Sequence, residues 1–267
     1  MAGFTLVEMV LVIVLLGILS GVLAPVITQM MHGYRDTAGY ADLTDKGRLA
    51  LEKLAREVRH AVPNTLAVVT DASGNPGIRF VRSRNGGRFD DCDDPVDATN
   101  CFTPGASLNQ LLVYDSGLSV NGNNEILVIG NTGYADLEGG GSWSLLTGDQ
   151  AHADGQLLQF NANTFTHDSP GNRFQIADTL VEVGLNGDSL RWHTQGLSNT
   201  GPLNPYDSVD GRWGNGDPLL IDGIQQLSFD YVPGEPFANA VLQISMTLSQ
   251  GGDEVDLYEE VHIRNVP

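Results

Sequence analysis

From Phe4 to Met31 the chain runs for 28 residues in which Thr5, Glu8, Ser20, Thr28 and Gln29 are the only polar side chains. As a helix this run is roughly 42 Å long at 1.5 Å per residue, enough to cross a bilayer core of about 30 Å. Such a segment needs an apolar surrounding along its whole length, which most constrains the fold of everything that follows. Its one ionisable group is Glu8. An acid at membrane depth costs roughly 2.5–3.5 kcal/mol on insertion scales and usually has a partner, yet nothing cationic lies within helical reach along this chain. A cut between Gly3 and Phe4 would supply one: the new α-amine of Phe4 lies at the same depth, on the same subunit or on its neighbour.

A secretory signal peptide is the rival reading. Residues 9–19 would be its apolar core and Val22-Leu23-Ala24 its small-residue cleavage site. Only Met1, Ala2 and Gly3 precede the run, without a basic n-region. Glu8 inside the apolar run and Pro25 immediately after the cut both oppose this reading.

Gly3 followed by Phe4-Thr5-Leu6-Val7-Glu8 resembles the type IV prepilin motif. The resemblance implies that a prepilin peptidase cleaves between Gly3 and Phe4 and N-methylates Phe4. It implies that Glu8 neutralises the amine of an adjacent subunit in a filament. Pro25 falls where pilins carry a helix-interrupting proline, and Gly17 and Gly21 add local freedom, so the resemblance implies local opening around residues 17–25 on assembly. The three-residue leader departs from the pattern, since it lacks the usual Lys or Arg. Three further stretches resemble the minor pilins of MSHA biogenesis, of the MshO type: Tyr34-Arg35-Asp36-Thr37-Ala38, Arg59-His60-Ala61-Val62-Pro63-Asn64 and Val261-His262-Ile263-Arg264-Asn265-Val266-Pro267. The J-type minor pseudopilins of type II secretion systems are similar in plan. The implied partners are other pilins, the prepilin peptidase and the inner membrane. The implied location is an inner-membrane anchor with a periplasmic head, then the pilus at the cell surface.

Beyond Met31 the apolar residues fall at three- and four-residue spacings: Leu43, Gly47, Ala50, Leu51, Leu54, Val58, Ala61 and Val62. That stripe predicts an amphipathic helix over 32–62 with one buried face. Glu52 with Arg56 and Lys53 with Glu57 have the i,i+4 spacing of surface pairs, and Pro63 is the expected stop. From residue 65 on, short β-type runs alternate with Gly, Asn, Asp and Pro, at 65–70, 78–82, 110–115, 125–130, 156–160, 173–177, 180–185, 189–194, 225–232, 240–249 and 254–264. Alternation is clearest in Leu242, Ile244, Met246 and Leu248, and residues 250–253 read as a hairpin loop. The expected fold class is α+β, a pilin-like lollipop. Residues 1–3 form a leader and 4–31 the membrane or filament-core helix. Residues 32–62 continue that helix into a β-rich head over 63–267, with loop insertions near 83–109 and 195–217.

Charge separates these parts. Residues 1–63 carry six basic and six acidic groups, whereas the remaining eight arginines face 27 carboxylates, so the head holds the whole net charge of −19. Such a surface repels phosphate backbones and argues against nucleic acid as a primary partner. Cys92 and Cys101 have eight residues between them, in an Asp-, Asn- and Pro-rich loop. A local disulfide suits them better than a metal site, and the alternative is a pair of free thiols. Asp90, Asp91, Asp93, Asp94 and Asp97 crowd this loop as a weak Ca²⁺ candidate without EF-hand spacing. Asp207, Asp210, Asn215 and Asp217 form a second, equally weak one; a solvated acidic turn explains either. His32, His60, His152, His167, His193 and His262 form no metal-binding pair, and no Gly-x-Ser-x-Gly elbow occurs, so no enzymatic site is expected. Trp143, Trp192 and Trp213 are candidates for a sugar-contacting surface or for core. A calcium- or glycan-binding tip adhesin is therefore the alternative to a purely structural subunit.

Overall fold

The computed structural model describes residues 5–93, 95–114, 117–133, 136–137, 139–197, 212–234 and 239–263, apart from the side chains of His32 and Asp36. Gly3 and Phe4, Asp94, Asp207 and Asp210 lie outside these residues, as do most of the 195–217 insertion and the last four residues.

One helix, α1 (Leu6–Val58), runs unbroken for 53 residues, about 80 Å. Thr5 is its N-cap, in extended conformation, and the Thr5 hydroxyl accepts the Glu8 N–H at 3.4 Å. Pro25 lies inside the helix without ending it. The lost amide removes one ladder bond, but the flanking turns hold, and the Thr28 hydroxyl donates to the Ala24 carbonyl at 2.8 Å.

The helix ends four residues earlier than the apolar spacing predicts. Amides of His60 and Ala61 tighten onto the Glu57 and Val58 carbonyls, three residues back. The chain then pairs with a strand: the Val62 amide donates to the Val81 carbonyl at 2.8 Å and Ala61 bridges Arg82. Ala61 and Val62 are buried as expected, but the sheet buries them. Capture by that strand, before Pro63 is reached, sets the helix end.

Among the described residues, twelve antiparallel strands make the head. They are β1 (Ala67–Thr70), β2 (Pro76–Arg88), β3 (Ser107–Val113), β4 (Ile126–Val128), β5 (Trp143–His152), β6 (Gly155–Thr164), β7 (Arg173–Asn186), β8 (Ser189–Gly196), β9 (Leu219–Ile221), β10 (Ile224–Val232), β11 (Ala240–Gln250) and β12 (Asp253–Ile263). The larger sheet has the order β1-β2-β7-β4-β5-β6-β3. Its spine is β7, which merges the two runs expected at 173–177 and 180–185. One edge of β7 pairs with β2 throughout, while the other is shared by β4 and β8. The smaller sheet is the meander β10-β11-β12. Its second turn places Gly251 and Gly252 at φ of +66° and +100°, where a side chain would be strained.

The amphipathic half of α1 lies chiefly on β12 and β11. Leu43, Leu51, Leu54 and Val58 meet Leu242, Ile244, Met246 and Leu248, with Ile78, Phe80, Val181 and Val183 of the larger sheet closing the same core. Gly47 lets helix and sheet approach: a Cβ there would stand 2.1 Å from Leu257 Cδ1. The expected pairs Glu52–Arg56 and Lys53–Glu57 do not form among the described residues. Lys53 instead sits 5.3 Å over the Trp192 ring, and Glu57 lies 3.9 Å from Arg82. Tertiary partners outcompete solvent-screened helix pairs worth only a few tenths of a kcal/mol. A second core, rich in phenylalanine, packs Phe89, Phe102, Phe160, Phe165 and Phe174 beneath the cysteine loop.

Candidate functional site

Two regions carry distinctive chemistry: the free half of α1 and the loops of the head. Every described residue from Thr5 to Met31 is exposed, and the most apolar stretch of the helix has none of its residues buried within the chain. Leu6, Ile13, Ile18 and Met30 are each more than 60% exposed. At about 25 cal/mol per Å², this much apolar surface cannot stay in water. The helix is long and apolar enough to cross a membrane, which fits a single-pass anchor.

Glu8 is exposed on this helix in its first turn. The Thr5-Leu6-Val7-Glu8 spacing is that of a capping box, a signal legible in the sequence that the apolar run overshadows. Favourable interaction with the helix N-terminus is worth about 0.3–1 kcal/mol. Insertion costs roughly 2.5–3.5 kcal/mol, so capping offsets only part of it.

In the head, Cys92 and Cys101 are disulfide-bonded with Cα atoms 5.0 Å apart, and no described cysteine is free. The loop they close is stitched to the sheet by Asp90. That side chain is fully buried. Its Oδ1 accepts the Val96 amide at 3.0 Å and the Tyr114 hydroxyl at 2.6 Å, and its Oδ2 accepts the Asp97 amide at 2.8 Å. Burial raises the Asp90 carboxyl, but the bonds from Asp97, Tyr114 and Val96 together outweigh it and hold the group below its ordinary value.

Asp91 and Asp97 are used in the same local way. Asp91 accepts the Asp93 amide, and Asp97 accepts from Asn100 Nδ2 and the Thr99 amide. These bonds, with Asn100 first, lower the Asp97 carboxyl. No group of three or more potential metal ligands occurs among the described residues. In the second acidic stretch, Asp217 accepts the Gly214 amide and lies 2.9 Å from His193 Nδ1, while Asn215 accepts from Asn186. The Gly214 bond is turn chemistry, while the other two tie this stretch to β8 and to the end of β7.

The tryptophans are not assembled into one surface. Trp213 is buried and donates Nε1–H to the Leu185 carbonyl at 2.9 Å. Trp143 donates to the Leu137 carbonyl, and Trp192 packs against the helix core beneath Lys53.

Sequence reasoning missed a cleft where α1 meets the larger sheet, of about 400 Å³ and lined by Arg59, His60, Ser83, Arg84, Arg173 and Gln175 among others. A β-bulge opens it: the β2–β7 register shifts between Arg82 and Asn85, which re-aims the strand. No periodic pattern signals a bulge of this kind. Comparison of the chain with family models, with curated proteins and with solved structures finds no match.

Proposed function

We propose that the chain is a non-enzymatic minor pilin, a subunit of a type IV pilus of the MSHA kind, acting in filament initiation or at the tip. The observation that carries this reading is the free half of α1. It is a helix of wholly exposed apolar side chains, broken by one acid at its start, joined without interruption to a half that is packed under a β-rich head.

A helix that only anchored a protein would gain nothing from Glu8, which raises the cost of insertion. A helix passed from membrane to filament gains a register: the acid pairs with the α-amine of an adjacent Phe4 after cleavage behind Gly3. Apolar packing against neighbouring helices is non-directional, whereas one charge pair in a low-dielectric bundle fixes the axial position of each subunit. Pro25 supplies the place where the ladder is already one bond short, and opening there would let the helix adjust its length in the filament. The head's size and its acidic loops suit a sparse position, since densely repeated copies of a surface this negative would repel one another.

Incorporation tests this reading. In a host assembling the cognate pilus, the wild-type chain is expected in the sheared surface-filament fraction, cross-linked to other subunits. Glu8→Ala should be cleaved and membrane-inserted normally yet stay in the inner membrane. Equal recovery of both forms from filaments would contradict the charge-pairing role, and absence of the wild type from filaments would contradict the proposed function.

A further inference from the structure

The cleft at the end of α1 gathers positive charge on a head that is otherwise strongly negative. Arg59 is the helix C-cap, Arg173 opens β7, and Arg84 projects from the β2 bulge; all three line the cleft with the amide and hydroxyl groups of Asn85, Gln175 and Ser83. One rung further along the same sheet face, Arg88 of β2 is the direct cross-strand partner of Arg173, just as Gly86 partners Gln175. Like charges opposite one another on adjacent strands are destabilising.

Arg84 is already matched: it forms an ion pair with the buried Glu125 and donates to the Ser119 carbonyl. Arg59, Arg88 and Arg173 are not. Although acids outnumber bases by 33 to 14, the side chains of these three arginines make no hydrogen bond or ion pair with any described residue. Three cations without a partner among the described residues stand beside a polar cleft, two of them held against each other by strand register, an arrangement suited to an anion that no described residue supplies.

We propose that this cleft binds a carboxylate-bearing polypeptide segment, an acidic stretch of a partner protein. The volume favours a peptide over a single small anion: about 400 Å³ lies within the range of pockets that enclose ligands of several residues' bulk, and one phosphate would leave most of it to water. The cations sit on three elements, the end of α1, β2 and β7, and the planar guanidinium fork suits carboxylates. The net charge of −19 repels acidic proteins at long range, so binding is confined to partners that present carboxylates at this cleft.

The test is a titration of the full chain in neutral detergent at low ionic strength, with a fluorescent peptide of alternating Asp and Gly, its Asn/Gly counterpart and inorganic phosphate. The Asp/Gly peptide should bind, weaken steeply with added salt, and bind about tenfold more weakly to the Arg88→Gln/Arg173→Gln double variant. That variant should melt no lower than the wild type, since it removes a like-charge pair. Absence of binding, equal binding of the Asn/Gly peptide, undiminished binding to a folded double variant, or phosphate competing as strongly as the peptide would each overturn the proposal.

Discussion

Arg79 of β2 and Glu182 of β7 face each other across the middle of the larger sheet, neither with any exposed surface, and their side chains form an ion pair. Arg79 Nε donates to Glu182 Oε1 at 2.5 Å, while Oε2 has no hydrogen-bond partner among the described residues. Taking one partner away leaves a buried charge, which costs about 3–5 kcal/mol, whereas replacing both with apolar groups is often neutral or better. Arg79→Met should therefore lower stability by about 3–5 kcal/mol in denaturant melts of the detergent-solubilised chain. Arg79→Met with Glu182→Leu should recover most of it. A double variant no more stable than the single would show that the arginine matters through its shape and not its charge.

Gly77, at the start of β2, and Gly184, near the end of β7, are also cross-strand partners, and together they make room for Trp213. A Cβ at Gly184 would stand 2.0 Å from the indole, and one at Gly77 2.3 Å. A rigid ring cannot yield as a flexible side chain can. Gly184→Ala should cost about 1–3 kcal/mol and shift Trp213 fluorescence towards that of an exposed indole. An unchanged emission spectrum would mean that the slot is not needed to hold the ring.

The Cys92–Cys101 bridge closes a short loop, for which chain entropy predicts about 2–3 kcal/mol. Because Asp90 and the phenylalanine core also hold this loop, Cys92→Ser with Cys101→Ser should loosen it locally. Limited proteolysis should cut between residues 93 and 100 faster than in the wild type, with the rest of the head intact. Equal cutting rates would mean that the hydrogen bonds suffice.

Asp90 gives the loop a pH dependence whose sign follows from its lowered carboxyl. A depressed native value contributes stability that is complete above the ordinary value of 3.8 and is lost as pH falls through the native one. Asp90→Asn should thus lower the loop's protection at neutral pH and narrow the loss seen on acidification below about pH 4. Parallel pH profiles for the two proteins, followed by proteolysis of this loop, would contradict that role.

What could be read in the sequence was whatever repeats. The free half of α1 announces itself by an unbroken apolar run, and β11 by Leu242, Ile244, Met246 and Leu248, all buried while Gln243, Ser245 and Thr247 turn outward. The helix end was misplaced because Ala61 and Val62 keep helical spacing although β2 captures them. β5 escaped notice because alternation fails in its exposed second half, around Gly148, and β9 because three residues carry no period. Acidic density marked the Asp90 loop, but density does not distinguish carboxylates turned towards a cation from carboxylates that accept their own loop's amides. The basic cleft depends on a bulge and on strand register, which appear only once β2 and β7 are paired.

Mass spectrometry of the N-terminus, on protein recovered from the native membrane, tests the central claim most directly. A chain beginning at N-methylated Phe4 is the predicted result, with Gly3 removed. An intact Met1, or a mature chain beginning at Pro25, would contradict it.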